Sequence, residues 1–176
     1  MSIRTNWAVI TGAPCSGKTA VIRELGAMGH QTVPEVARAY IDHRLRRGES
    51  LPQIKADAPG FERHILLAKI RIEASMPPAA LLFFDRGVPD SAAYFELEGM
   101  DPREVFVLAR LRRYRRVFLM ERLEFKSDRV RSEDNATAAR LERLILKSYG
   151  QMGYPVIRIR AGSVPVRARR VLEHLE

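Results

Sequence analysis

Gly12-Ala13-Pro14-Cys15-Ser16-Gly17-Lys18-Thr19 lies between the apolar run Trp7-Ala8-Val9-Ile10 and a stretch in which Val21, Leu25 and Met28 recur at helical spacing. The spacing is G-x-x-x-x-G-K-[ST], and each fixed position has a chemical task. Glycine at 12 and 17 lets main-chain N–H groups curl around phosphate oxygens with no Cβ in the way. Ala13, Pro14, Cys15 and Ser16 form the arc between them, Lys18 reaches the β- and γ-phosphates, and the Thr19 hydroxyl holds Mg²⁺. A buried strand entering the loop and a helix leaving it would turn the positive end of that helix toward the anion. Cys15 is the chain's only cysteine. It is read either as a redox-sensitive thiol or as a small residue filling the loop.

Phosphoryl transfer asks mainly for positioning and for neutralisation of charge on the moving phosphate, so further carboxylates and arginines are needed near the loop. Asp85, after the apolar run Leu81-Leu82-Phe83-Phe84, is placed to support Mg²⁺, with a helix N-cap as the competing role. Arg86 beside it forks onto phosphate or a substrate hydroxyl, or else serves a structural ion pair. Glu35, after Gln31-Thr32-Val33-Pro34, is a candidate base for an acceptor hydroxyl, with Arg38 one helical turn on; a simple Glu35 to Arg38 surface pair fits the spacing equally well. Asp90 closes the expected acceptor site formed by Glu35, Arg38 and Arg86. Residues 121–134 are strongly charged and hold few apolar anchors. Arg129 and Arg131 within them are candidate ATP contacts on a lid that would close over the triphosphate and exclude water, the alternative being a solvated loop.

These groups must be carried to one place by the chain between them. Residues 7–10, 81–84 and 117–120 are continuous apolar runs, as strands buried on both faces would be, with shorter strands at 31–33 and 155–159. Helical spacing separates them: 20–28, then 36–41 fraying around Gly48, a third helix bearing Phe61, Ile65, Ala68 and Ile72 up to Pro77-Pro78, one after Pro89, one from Asp101-Pro102 to near Leu111, a long one from near Asn135, and a closing one over 166–175. Residues 52–60, with two prolines and a glycine, read as a mobile connection. Strands alternating with helices imply a parallel sheet covered on both faces, with the ligand at the carboxyl ends of the strands. Gly12, Glu35, Asp85 and residues 121–134 each follow a strand, so they are expected on one rim.

The chain has 176 residues, the size of one domain, and a net charge of +9 from 30 Lys and Arg against 21 Asp and Glu. No apolar run approaches a bilayer-spanning length, and the first residues do not resemble a signal peptide, so a soluble, cytoplasmic protein without membrane contact is expected. One cysteine agrees with a reducing compartment. The basic clusters at 44–47 and 110–116 favour polyanionic partners, but they lack interleaved aromatics and match no nucleic-acid-binding motif; a solvated basic face is preferred to a nucleic-acid site.

Taken in order, Val9-Ile10-Thr11-Gly12 with its Gly-Lys-Thr loop, Val33-Pro34-Glu35-Val36-Ala37-Arg38, Phe84-Asp85-Arg86-Gly87-Val88-Pro89-Asp90 and Asp128-Arg129-Val130-Arg131-Ser132-Glu133-Asp134 resemble the successive blocks of the small AAA-domain P-loop ATPases or kinases. That family is related to the ribosylnicotinamide kinase domain and, more distantly, to nucleoside and nucleoside-monophosphate kinases. The resemblance implies a three-layer α/β P-loop NTPase fold in a single domain, with a five-stranded parallel sheet and a lid. It also implies Mg²⁺-dependent use of ATP and transfer of its γ-phosphate to a small hydroxylated or phosphorylated acceptor. By matching position, Gly17, Lys18 and Thr19 bind triphosphate and metal, Asp85 serves the metal or the acceptor, and Arg131 is the lid arginine. Residues 162–167 occupy the place of a loop that packs on adenine. The expected function is a small-molecule kinase; the alternative is an ATP-dependent regulatory module that switches a protein or nucleic-acid contact through residues 110–116.

Overall fold

Residues 7–10 are apolar at every position because the strand they form has a covered face on each side. In this computed structural model, which describes residues 2–122 and 132–176 with the side chains of 132–135 excepted, strand β2 is Trp7–Thr11. It follows the short strand β1, Ile3–Arg4. Around β2 a five-stranded sheet is assembled in the order β3, β4, β2, β6, β7, where β3 is Gln31–Val33, β4 Leu82–Asp85, β6 Arg116–Met120 and β7 Val156–Ile159. Every pairing in it is parallel, as the expected fold class requires.

Successive strand residues point to opposite faces, so β2 feeds two cores. Trp7 and Val9 pack with Phe84, Val117 and Leu119 under Ile145 and Tyr149 of helix α7, Ser132–Gln151. Ala8 and Ile10 pack with Phe83, Phe118 and Met120 under Val21 and Leu25 of α1, Lys18–Ala27, and under Ala168 and Val171 of α8, Val164–Glu173. Each such large side chain contributes about 1.5–3 kcal/mol by leaving water. The remaining helices are α2, Val36–Arg46, α3, Leu51–Ile54, α4, Ala58–Ser75, α5, Asp90–Leu97, and α6, Arg103–Ala109.

Three expectations are corrected. Residues 52–60 are largely helical. Gln53 caps α3 by accepting from the Ser50 N–H, and Asp57 accepts from Gly60 N–H at the start of α4. Both prolines stand in first turns, where no N–H is needed. Helix α7 begins at Ser132 rather than near Asn135. Residues 110–116 are solvated only in part: Arg110, Leu111, Arg115 and Arg116 are exposed, Arg112 and Arg113 half-buried and Tyr114 buried. Strand β5, Arg112–Arg113, pairs in parallel with β1. Arg113 donates to the Met152 and Gly153 carbonyls at 2.5 and 2.6 Å and lies over the Tyr154 ring. Arg115 donates to Asn6 Oδ1 at 2.9 Å and to the Leu175 carbonyl. Among the described residues, no helix is long and apolar enough to cross a membrane.

Candidate functional site

The turn after β2 is built from backbone conformations that side chains usually resist. Gly12 has φ 143° and Gly17 φ 79°. A Cβ on Gly12 would sit 2.7 Å from the Met120 carbonyl oxygen and 3.0 Å from Ser16 Oγ, so glycine is required by the close pass of β6 as well as by φ. Cys15 also adopts the left-handed region, φ 60°. Alternating conformations of this kind gather successive N–H groups on one side of a loop. No side chain caps α1 at Gly17, which leaves its first N–H groups facing the turn.

Lys18 is 5% exposed. Its Nζ donates to the Ala13 carbonyl at 2.7 Å and to Ser16 Oγ at 3.3 Å. Burial, with the Arg86 charge adding to it, lowers its pKa to about 8. Ala13 and Ser16 are buried, whereas Pro14 and Cys15 of the turn and Thr19 in the first turn of α1 are exposed.

The end of β4 lies beside this turn because Ile10 of β2 is in register with Asp85. Thr19 Oγ1 donates to Asp85 Oδ2 at 3.0 Å, while Asp85 Oδ1 is buried without a hydrogen-bond partner. Burial, reinforced by the neighbouring Glu35, pushes the Asp85 carboxyl above its usual range. A carboxylate oxygen left bare next to a hydroxyl fits Mg²⁺, which takes few protein oxygens and completes its shell with water and phosphate. Among the described residues there is no cluster of three or more His, Cys, Asp or Glu that would hold a metal unaided.

Arg86 follows with φ 70°, a conformation that costs a non-glycine residue about 1–3 kcal/mol. The surroundings hold it there. Its N–H donates to the Ile10 carbonyl at 3.0 Å. Its Nε donates to Glu35 Oε1 at 3.0 Å and its Nη1 to Asp90 Oδ1 at 3.1 Å. Tyr94 lies against the guanidinium, 5.4 Å from ring centroid to Cζ. Glu35, the residue before α2, therefore pairs with Arg86 rather than with Arg38.

Asp90 does not take the expected place in the acceptor site: it is 0% exposed. Its carboxylate accepts from Thr11 Oγ1, Arg86 Nη1, Gly87 N–H and Tyr149 OH. Against the cost of burial, Arg86, Lys69 and these hydroxyls hold its carboxyl below the usual range. Asp90 thus anchors Arg86 from behind.

A cleft of about 730 Å³ opens beside Thr19 and Asp85, walled by Glu35 and Arg38, with Arg23 and Asp42 further out. It brings together Thr19, the β4 carboxylate, Glu35 before α2 and Arg38 on α2. Arg129 and Arg131 lie outside the described residues.

An AAA-domain family model matches residues 7–167. The chain belongs to that family. Its fold is shared with kinases among the solved structures. Thymidylate kinase from Ehrlichia chaffeensis is 14% identical with a TM-score of 0.67, covering 98% of this chain and 99% of its own. NadR protein in complex with NR is 14% identical with a TM-score of 0.66, the match spanning 96% of this chain and 49% of that one. Deoxyadenosine kinase from M. mycoides, with dCMP and dCDP as products, is 15% identical with a TM-score of 0.64, covering 96% and 98%. No curated protein matches by sequence.

Sequence reasoning passed over two parts of this AAA domain. Beneath residues 85–91, Lys69 of α4 donates to the Gly87 carbonyl and Ser91 Oγ at 3.1 and 3.0 Å. Tyr114 OH donates to Glu73 and accepts from the Val88 N–H. Burial pushes the Glu73 carboxyl up to about 7. The signal was present: Lys69 and Glu73 interrupt the apolar face of Phe61, Ile65 and Ile72. The second part is Arg167, taken only as the end of an adenine-side loop. It is 1% exposed and donates into the turn itself.

Proposed function

We propose that this protein is an ATP- and Mg²⁺-dependent small-molecule kinase that moves the γ-phosphoryl group onto a hydroxylated or phosphorylated acceptor. The observation that carries the reading is the Thr19–Asp85 pair, with its bare Oδ1, at the head of a cleft walled by Glu35 and Arg38. A switch that only binds nucleotide needs no such acceptor space. The main-chain N–H groups of the turn and the Lys18 ammonium bind the triphosphate and line its γ-phosphorus up with the cleft. Bound between Thr19 and Asp85, Mg²⁺ would supply positive charge to the phosphate oxygens. Glu35 accepts the proton of the acceptor hydroxyl as the new O–P bond forms and the bond to the ADP oxygen breaks. Arg86 steadies Glu35, and Arg38 faces the acceptor or its phosphate. Arg131, with Arg129 beside it, is assigned to the triphosphate from the segment after β6.

The test is ADP release from ATP and Mg²⁺ across nucleosides, nucleoside monophosphates, sugars and vitamin precursors. Acceptor-dependent turnover is expected; turnover stimulated only by nucleic acid or protein would reject the kinase reading. Lys18→Ala and Asp85→Ala are each expected to lose about a hundredfold or more in rate, the usual loss when a charge-stabilising group is removed.

A further inference from the structure

The largest charged side chain enclosed in the core is Arg167, and among the described residues it forms no ion pair with a carboxylate. Its Nη1 donates to the Ser16 carbonyl at 2.6 Å and its Nη2 to the Glu121 carbonyl at 2.9 Å; its Nε is buried with no partner. A guanidinium buried with only carbonyls as hydrogen-bond partners is costly; burial lowers its affinity for the proton, and the Glu121 charge offsets only part of that. Both carbonyls belong to the walls of the phosphate turn. Ser16 precedes Gly17 and Lys18, and Glu121 directly follows Met120, whose carbonyl presses on Gly12. The Glu121 N–H in turn donates to the Ile159 carbonyl at 3.0 Å. One side chain of α8 therefore ties the turn to the end of β6.

The orientation follows from the peptide bond. In a trans planar peptide the carbonyl and the following N–H point in opposite directions. With the Ser16 carbonyl drawn toward α8, the Gly17 N–H is turned away from it. We propose that Arg167 is a positioning residue for nucleotide binding. It locks the Ser16–Gly17 peptide so that the Gly17 N–H faces the phosphates, fixes the turn against Glu121, and places a positive charge behind the anion. This rests on the turn being a triphosphate site.

The experiment compares the dissociation constants of ATP and of inorganic tripolyphosphate, both with Mg²⁺, for the wild type, Arg167→Met, Arg167→Lys and Arg115→Met. Arg115 serves as the control because it ties the far end of α8 through the Leu175 carbonyl. Arg167→Met is expected to weaken both ligands by the same factor, about tenfold or more, the usual consequence of losing hydrogen bonds from a charged group. Arg167→Lys keeps the charge but cannot span both carbonyls, so it should lie in between; it also carries the test if the methionine variant does not fold. Arg115→Met should lower thermal stability and leave both constants unchanged. The assignment is overturned by wild-type affinity in either Arg167 variant, by a loss confined to ATP, or by an equal loss in Arg115→Met. Wild-type protein that binds neither ligand would instead refute the triphosphate site itself.

Discussion

Lys18 carries opposite consequences for binding and for folding. Its ammonium is held in a buried pocket, where the proton leaves at about 8 instead of the usual 10.5. Phosphate requires the charged form, so the dissociation constant for ATP should be level up to about pH 7.5 and rise above it as that proton is lost. Stability runs the other way. Between the two values the unfolded chain binds more protons than the folded one, so the contribution of Lys18 to folding improves as pH rises through that window. Titration calorimetry from neutral to alkaline pH would check the first half. The inflection should vanish in Lys18→Met, and its persistence there would assign it to another group. The loop residues were legible because their spacing is local. The role of Gly12 was legible only in part, since its contact with Met120 depends on a strand more than a hundred residues later in the sequence.

At the level of elements, the turn after β4 depends on supports from four directions: Thr11 on β2, Glu35 before α2, Lys69 on α4 and Tyr149 on α7. Two of them, Thr11 and Tyr149, converge on Asp90. Asp90→Asn removes the fully buried partner of Arg86 and leaves it the half-buried Glu35, and is expected to cost about 3 kcal/mol in urea unfolding. Tyr149→Phe removes one bond to a charged acceptor and should cost about 1–3 kcal/mol. The two losses should be less than additive in a double-mutant cycle because they share one carboxylate; strict additivity would contradict the network. None of this could be read from spacing alone. Asp90 stands one helical turn from Arg86 in sequence, which equally suits a pocket wall and a buried counter-ion, and the choice was made by Thr11 and Tyr149. Residues 52–60 were misread for a related reason. Proline and glycine mark a break only if they fall inside an element, and here capping by Gln53 and Asp57 puts both prolines in first turns.

Across the whole molecule, both faces of one sheet are covered, and the only tryptophan opens its central strand. Trp7 packs against Phe84 and donates from Nε1 to the Pro77 carbonyl at 3.1 Å. If the chain is one cooperative unit, Trp7 fluorescence and far-ultraviolet dichroism should give superimposable urea curves; separated midpoints would show that it is not. The alternation of strands and helices made this architecture readable, because each buried strand is a continuous apolar run. The pairing of β1 with β5 was not readable, since two-residue strands carry no periodicity. Arg115, lodged at the foot of the sheet, grips Asn6 with one nitrogen and Leu175 with another. One guanidinium thus joins the approach to β2 with the end of α8, at the edge of the sheet away from the turn after β2. Arg115→Met should therefore loosen the approach to β2 and the end of α8 together, and leave the cleft beside Thr19 and Asp85 intact.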